Sequence, residues 1–182
     1  MNKQYSFEFD AMGYGRKTSF EDMMGTTGKD KIMILTKKGK MLFFDEKDLR
    51  PMGENSKGIK LINLKKGDSV ACCSIIDETL DSTQKLLLIT KNGYGKRVDI
   101  SNIKIQKRGG VGISVIDILK ITGELVCASI IGEWGNVIVT SSKDNKIKIP
   151  IGGIPTLSFA TNGCRLMILE KEEKVKSISK QI

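Results

Sequence analysis

Histidine is absent from all 182 residues, and that gap excludes more chemistry than any motif adds. Without an imidazole there is no Ser-His-Asp triad, no Cys-His dyad, no His-ligated zinc and no imidazole general base. Carboxylate or lysine chemistry survives the exclusion, yet no constellation for it is legible, and a phosphate loop of the Walker type is missing. Cysteine is scarce: the four are Cys72, Cys73, Cys127 and Cys164, none in a CxxC spacing. Three of them stand in apolar runs and read as small buried hydrophobes of a reducing compartment. No window approaches the roughly 20 apolar residues of a membrane helix, and the first thirty residues lack the apolar run of a secretory signal. The expectation is a cytoplasmic protein with no membrane partner, no metal, no cofactor and no catalytic residues of its own.

What is present is positive charge. Thirty Lys and Arg against 21 Asp and Glu leave a net charge of +9, which points toward a polyanionic partner such as nucleic acid, or serves solubility alone. Hydrophobic residues at 40% and charged residues at 28% are those of a soluble globular chain, and the length suits one domain or a string of small modules.

Self-similarity supplies the organisation. Residues 31–76 and 85–131 write one pattern twice, "KIMILTKKGKMLFF…SKGIKLINLKKGDSVACCSII" and "KLLLITKNGYGKR…QKRGGVGISVIDILKITGELVCASII". The offset is 54 residues from Thr36 to Thr90 and from Gly58 to Gly112, and 55 from Cys72 to Cys127. A fainter third copy fills 136–182, with Thr140 answering Thr90 and Gly163 answering Gly112. Each copy opens on a β-rich apolar run, turns at a Lys/Gly or Lys/Asp cluster and returns as an alternating strand, which predicts about four antiparallel strands per copy. Helical spacing is not sustained anywhere, although "SFEDMM" allows a single turn. The predicted fold class is all-β, from modules of 50 to 55 residues stacked face to face. Residues 1–30 form an N-terminal arm or a partial blade, because "GYGRKT" echoes "GYGKRV".

Charge is concentrated in the second copy. Residues 85–120 hold eight cations against Asp99 and Asp117, a net +6. Among them lies "QKRGGVG", residues 106–112, in which Gln106, Lys107 and Arg108 precede Gly109, Gly110 and Gly112. Two readings stand: glycines that let a backbone approach a polyanion beside cations, or a hairpin turn that is basic by composition.

The copies resemble blades of the C-terminal domain of DNA gyrase A, over roughly residues 31–182. That resemblance implies a β-pinwheel of four-stranded blades, an incomplete ring here with three blades legible. It also implies a basic rim that wraps double-stranded DNA and so supports negative supercoiling, in company with the gyrase cleavage and ATPase subunits. The family's box, QRRGGKG, is matched at Gln106, Arg108, Gly109, Gly110 and Gly112; Lys107 keeps the charge and Val111 replaces a lysine. This box stands in the middle copy, whereas the family's full box opens the first blade.

The candidate DNA-binding residues are therefore Gln106, Lys107, Arg108, Gly109, Gly110 and Gly112, with Lys96, Arg97 and Lys104 on the same rim and Arg50 and Lys57 in the matching loop of the first copy. In this expectation Gly109 and Gly110 aim backbone N–H groups at the duplex. The third copy reads "LSFATNG" at that place, without a cation, and is expected to pack rather than bind. Tyr94 is the sole aromatic near the rim, which argues against stacking on single strands. Strand edges at the ends of the array favour a homo-oligomer unless capped. The alternatives are the equivalent domain of topoisomerase IV and a propeller-like scaffold for acidic protein surfaces. The location expected is cytoplasmic, with the nucleoid.

Overall fold

A computed structural model describes residues 4–20, 29–52, 57–76, 83–101 and 103–181, with the backbone alone for 4–9 and 16–20. Most of "SFEDMM" lies outside the described residues. Among the described residues, fourteen strands account for nearly all regular structure. They begin with β1 (Gln4–Phe9), β2 (Tyr14–Phe20), β3 (Lys31–Thr36), β4 (Lys40–Asp45), β5 (Ile59–Lys60) and β6 (Val70–Ile76). There follow β7 (Lys85–Thr90), β8 (Tyr94–Asp99), β9 (Ile113–Ser114) and β10 (Leu125–Ile131). The last are β11 (Asn136–Ser141), β12 (Lys146–Pro150), β13 (Cys164–Arg165) and β14 (Val175–Gln181).

The chain divides into two compact units, one of Met1–Thr36, Lys40–Leu80 and Ile103–Ile113, the other of Lys37–Gly39, Asp81–Asn102 and Ser114–Ile182. The first is built on a three-stranded sheet, β1-β2-β5, and a four-stranded one, β6-β3-β4-β9; the second on β10-β7-β8-β13 and β12-β11-β14. The strand pairs are antiparallel, and consecutive strands are joined by tight turns.

The four-stranded sheets show that the sequence copy and the sheet are out of step. Each takes three strands from one copy and its fourth from the next: β9 completes the first copy's sheet and β13 the second's, as β5 completes the arm's. The repeating glycine marks where the guest strand enters. An added Cβ at Gly58 would stand 2.8 Å from the Gly15 carbonyl oxygen, at Gly112 2.7 Å from that of Met41, and at Gly163 2.6 Å from that of Gly95. All three have φ between 72° and 80°, so both the left-handed backbone and the close approach demand glycine.

Burial follows the strand patterns. In β3 and β7 every residue after the first lysine is buried, so both faces are covered, whereas β11 buries only alternate residues. The first unit's core gathers Ile32, Ile34, Leu42, Phe44, Leu49, Leu61, Ile62 and Val70. The second's gathers Leu87, Ile89, Val137, Val139, Ile151, Ile154 and Met167 among others. Each such side chain contributes roughly 1.5–3 kcal/mol on leaving water.

The outer strands share a β-bulge at one place: between Leu35 and Thr36 against β6, between Leu125 and Cys127 against β7, and between Thr140 and Ser141 against β14. Strand ends pair Thr36, Thr90 and Ser141, so Ser141 and not Thr140 answers Thr90. The hydroxyls confirm it, with Thr90 Oγ1 donating to the Thr122 carbonyl and Ser141 Oγ to Glu173. The four cysteines are half-buried, less enclosed than their apolar runs suggest.

Candidate nucleic-acid interface

Residues 106–112 fold as a turn laid against β4 and the segment after β5, all within the first unit. Four hydrogen bonds fasten it. The Gln106 N–H donates to the Phe43 carbonyl at 2.7 Å and the Gly109 N–H to that of Leu61 at 2.7 Å. The Asn63 N–H donates to the Gly110 carbonyl at 2.8 Å, and Arg108 Nη1 to that of Lys60 at 2.6 Å. The Gly110 N–H closes the turn on the Lys107 carbonyl at 3.2 Å.

This overturns the expectation that Gly109 and Gly110 aim free N–H groups at a duplex, because both donors are consumed inside the protein. The glycines serve the turn. Gly109 has φ 81°, and a Cβ added there would meet nothing within 4 Å, so only its backbone conformation asks for glycine, whereas Gly112 also abuts β4. Gln106 is half-buried, with its Nε2 enclosed and unpartnered; Arg108 is half-buried too, and its Nε shares that condition. Lys107 and Lys104 are exposed, as are Arg50, Lys57 and Lys60 of the same unit. Lys60 Nζ donates to Asn63 Oδ1 at 2.8 Å.

Lys60 is the cation that sequence reasoning missed. Its signal was its place two residues after the repeating glycine, where the other copies carry Ser114 and Arg165. The Arg108 guanidinium is anchored on its backbone carbonyl.

Lys96 and Arg97 belong to the second unit, and the structure withdraws Lys96 from the surface. Lys96 is fully buried. Its ammonium donates to the carbonyls of Ser158, Phe159 and Thr161 at 2.6, 3.0 and 2.8 Å and to the Thr161 hydroxyl at 3.1 Å. Burial pulls its pKa down to about 8, with Asp117 drawing it back toward the ordinary value. A buried charge persists only where such acceptors surround it, so Lys96 is a strut and not a phosphate contact. Arg97 is half-buried and commits Nε to the Ile154 carbonyl at 2.6 Å.

The acceptors of Lys96 lie in the third copy's counterpart of the box. Leu157 donates its N–H to the Arg97 carbonyl at 2.9 Å, as Gln106 does to that of Phe43. The two turns thus keep one backbone anchor and differ in their support: Leu42 lies against Gly110 in the first unit, and Lys96 reaches into the turn in the second.

Residues 30–74 and 84–124 match the family model described as "DNA gyrase C-terminal domain, beta-propeller". The chain belongs to the DNA gyrase C-terminal domain family. It is 32% identical to the DNA gyrase A protein of Staphylococcus epidermidis (strain ATCC 12228) and 29% to that of Staphylococcus aureus (strain MRSA252), each over 155 residues. That alignment covers 85% of this chain and 17% of the relatives, so the chain spans about a sixth of their length.

In fold, this gyrase-family domain superposes on a solved DNA gyrase A C-terminal domain with a TM-score of 0.83 at 22% identity, covering 100% of this chain and 67% of that one. A topoisomerase IV C-terminal domain gives a TM-score of 0.83 at 19% identity, with coverage of 99% and 62%. Against the family's box, Val111 stands 52% exposed where a lysine is usual, so the missing cation is missing from the surface. Among the described residues, no helix is long and apolar enough to cross a membrane.

Proposed function

We propose that this domain binds double-stranded DNA without sequence preference, through the cations around the box turn of its first unit. The observation that carries the reading is the pinned turn, which exposes Lys107 and anchors Arg108 on the Lys60 carbonyl, while Arg50, Lys57 and Lys104 add exposed charge to the same unit. Fixed cations neutralise phosphates with little ordering cost on binding, and phosphate contacts carry no base readout.

The reading extends to wrapping: the domain serves as the C-terminal part of gyrase A, non-catalytic in itself, and assists cleavage and ATPase subunits elsewhere in negative supercoiling. The box matches at five positions favour gyrase, and the missing Val111 cation favours the topoisomerase IV counterpart. A location with the bacterial nucleoid follows from the same reading.

Binding to long duplex DNA, titrated with salt, tests it. With about six phosphates engaged, log affinity falls against log salt with a slope near −5, and Lys104→Ala/Lys107→Ala makes the slope shallower by roughly two contacts. A topoisomerase I relaxation assay in parallel reports trapped writhe. A shift in linking number supports wrapping; salt-insensitive binding sinks the DNA reading; binding with unchanged linking number leaves a DNA-binding domain that does not wrap.

A further inference from the structure

The second copy departs from the other two at one turn. In every copy the segment after the guest strand is anchored at both ends on the hairpin before it. The N–H groups of Leu61, Val115 and Leu166 donate to the carbonyls of Gly13, Gly39 and Gly93, and those of Val70, Leu125 and Val175 to the carbonyls of Ala11, Lys37 and Lys91. Between these anchors stand eight residues in the first and third copies, 62–69 and 167–174, and nine in the second, 116–124. Each segment reverses where one N–H donates three residues back, Asp68 to Lys65 at 3.0 Å, Thr122 to Leu119 at 3.1 Å and Glu173 to Glu170 at 3.1 Å. The left-handed residue is the third of the turn at Gly67, φ 72°, and at Glu172, φ 64°, whereas the longer turn defers it to Gly123, φ 69°.

The turns open with Lys65, Lys66 and Gly67, with Leu119, Lys120 and Ile121, and with Glu170, Lys171 and Glu172, and every one of these residues is exposed. The place therefore faces solvent in each copy. In the second alone it presents two aliphatic side chains, Leu119 at 48% and Ile121 at 57% exposure. The backbone beneath them is pinned. Thr122 Oγ1 accepts the Leu119 N–H at 3.0 Å, and Asn92 Nδ2 donates to the Ile121 carbonyl at 2.9 Å. The Thr122 carbonyl accepts the Asn92 N–H at 3.1 Å and Thr90 Oγ1 at 2.7 Å. Aliphatic side chains held in water on an ordered backbone suit a binding anchor, because their burial is favourable and little ordering is left to be done.

The ground around this tip is concave and cationic. Leu119 walls one depression of about 510 Å³ with Lys38, Ile116 and Asp117, and Ile121 walls another of about 210 Å³ with Tyr94, Arg165 and Lys174. Arg165 is braced, its guanidinium 5.3 Å from the Tyr94 ring centroid and Nη2 donating to the Tyr94 hydroxyl at 2.9 Å. Among the described residues, Lys91, Lys120, Arg165 and Lys174 have no carboxylate partner. Of the carboxylates nearby, Glu170 is paired with Lys143 at 2.6 Å and Glu173 is buried in hydrogen bonds of its own, which leaves Asp117 and Glu124.

We propose that the Leu119–Ile121 tip docks an acidic segment of another protein, one that carries an aliphatic or aromatic side chain between carboxylates. The apolar side chain fills a depression against Leu119 or Ile121, and the carboxylates meet Lys91, Lys120, Arg165 and Lys174. Other occupants satisfy one half of this surface. A duplex presents its phosphates outermost and leaves the aliphatic pair without an apolar partner. A second copy brings its own net charge of +9 to a cationic surface. A bilayer takes up aliphatic side chains yet cannot fill the hollows beside them. None of these residues belongs to the box, so the inference stands whether or not the domain binds DNA.

Selection of random displayed peptides against the full chain tests it, beside the variants Leu119→Ser/Ile121→Ser and Lys91→Glu/Lys120→Glu. Peptides enriched by the parent are expected to carry Asp or Glu around a large apolar residue. A synthetic peptide of that consensus should bind either variant at least about tenfold more weakly, and bind the parent more weakly as salt rises. All four positions are exposed, so both variants keep the parent's melting midpoint, which separates lost docking from a lost fold; if one fails to fold, the other decides. No enrichment, a consensus without acidic residues, or equal binding to parent and variants overturns the proposal. Binding to phosphatidylglycerol vesicles, or a dimer in sedimentation velocity, that the serine variant abolishes would give the tip a different occupant and overturns it as well.

Discussion

Gly109 and Gly112 stand three residues apart in the same turn, and their demands differ. Alanine at either carries the left-handed penalty of about 1–2 kcal/mol, but only at Gly112 does the methyl also meet the Met41 carbonyl, at 2.7 Å. Urea denaturation of Gly109→Ala and Gly112→Ala should show the second less stable by at least about 1 kcal/mol beyond the first; equal losses would mean that β4 gives way. Lys96→Met leaves three carbonyls and a hydroxyl without their ammonium, and unpaired buried acceptors make that change cost about 2–4 kcal/mol. A Lys96→Met protein as stable as the parent would show that the cage relaxes onto water. Among the cysteines, burial pushes the Cys73 thiol up to about 12, helped by the neighbouring Cys72. At pH 8 its thiolate fraction is on the order of 10⁻⁴, so iodoacetamide should label it at least tenfold more slowly than free cysteine, as peptide mapping would report.

At the scale of elements, the box turn separates two cationic roles that charge counting merges. Arg108 braces the turn through the Lys60 carbonyl, so Arg108→Ala costs about 1 kcal/mol of stability in addition to any binding; Lys107, exposed, should change binding and leave the melting midpoint in place. The turn at 170–173 makes a pH prediction. Ser141 Oγ, the Glu170 N–H at 2.8 Å and Asn145 Nδ2 at 2.8 Å all donate to the Glu173 carboxylate and hold its pKa below the ordinary carboxylate value, Ser141 most strongly. A depressed folded pKa gives stability that is present above the unfolded value and lost as pH falls through the folded one. The melting-temperature gap between the parent and Glu173→Gln should therefore be largest near pH 7 and close below about pH 4; a gap that does not move with pH would assign the stabilisation to shape and not to charge. This carboxylate was not legible beforehand, because Asp68, Thr122 and Glu173 occupy one structural place with three different side chains, and only the backbone turn is shared.

At the scale of the molecule, the strands and hairpins were legible, since "KLLLITKNGYGKR" announces an apolar run and a glycine turn, and β7 and the start of β8 fall there. The exchange of strands was not. β5, β9 and β13 are two residues long, too short for alternation to register, and their pairing partners lie in another copy. For the same reason Lys96 read as a rim cation: in the sequence it is one more lysine after "GYG", and its oxygen cage comes from residues more than sixty positions away. The box was located, but its glycines were given to the ligand when the protein's own backbone uses them.

The exchanged strand also decides how such an array gains or loses length. The first and second copies each lend a strand to the segment before them and borrow one from the copy after, so these junctions are built to one plan. Duplicating or deleting a whole repeat rejoins the same two halves, whereas a break inside a copy injures two sheets at once. Repeat number is thereby free to drift in integer steps, and the gene for such a domain tolerates recombination at one phase of its period and no other.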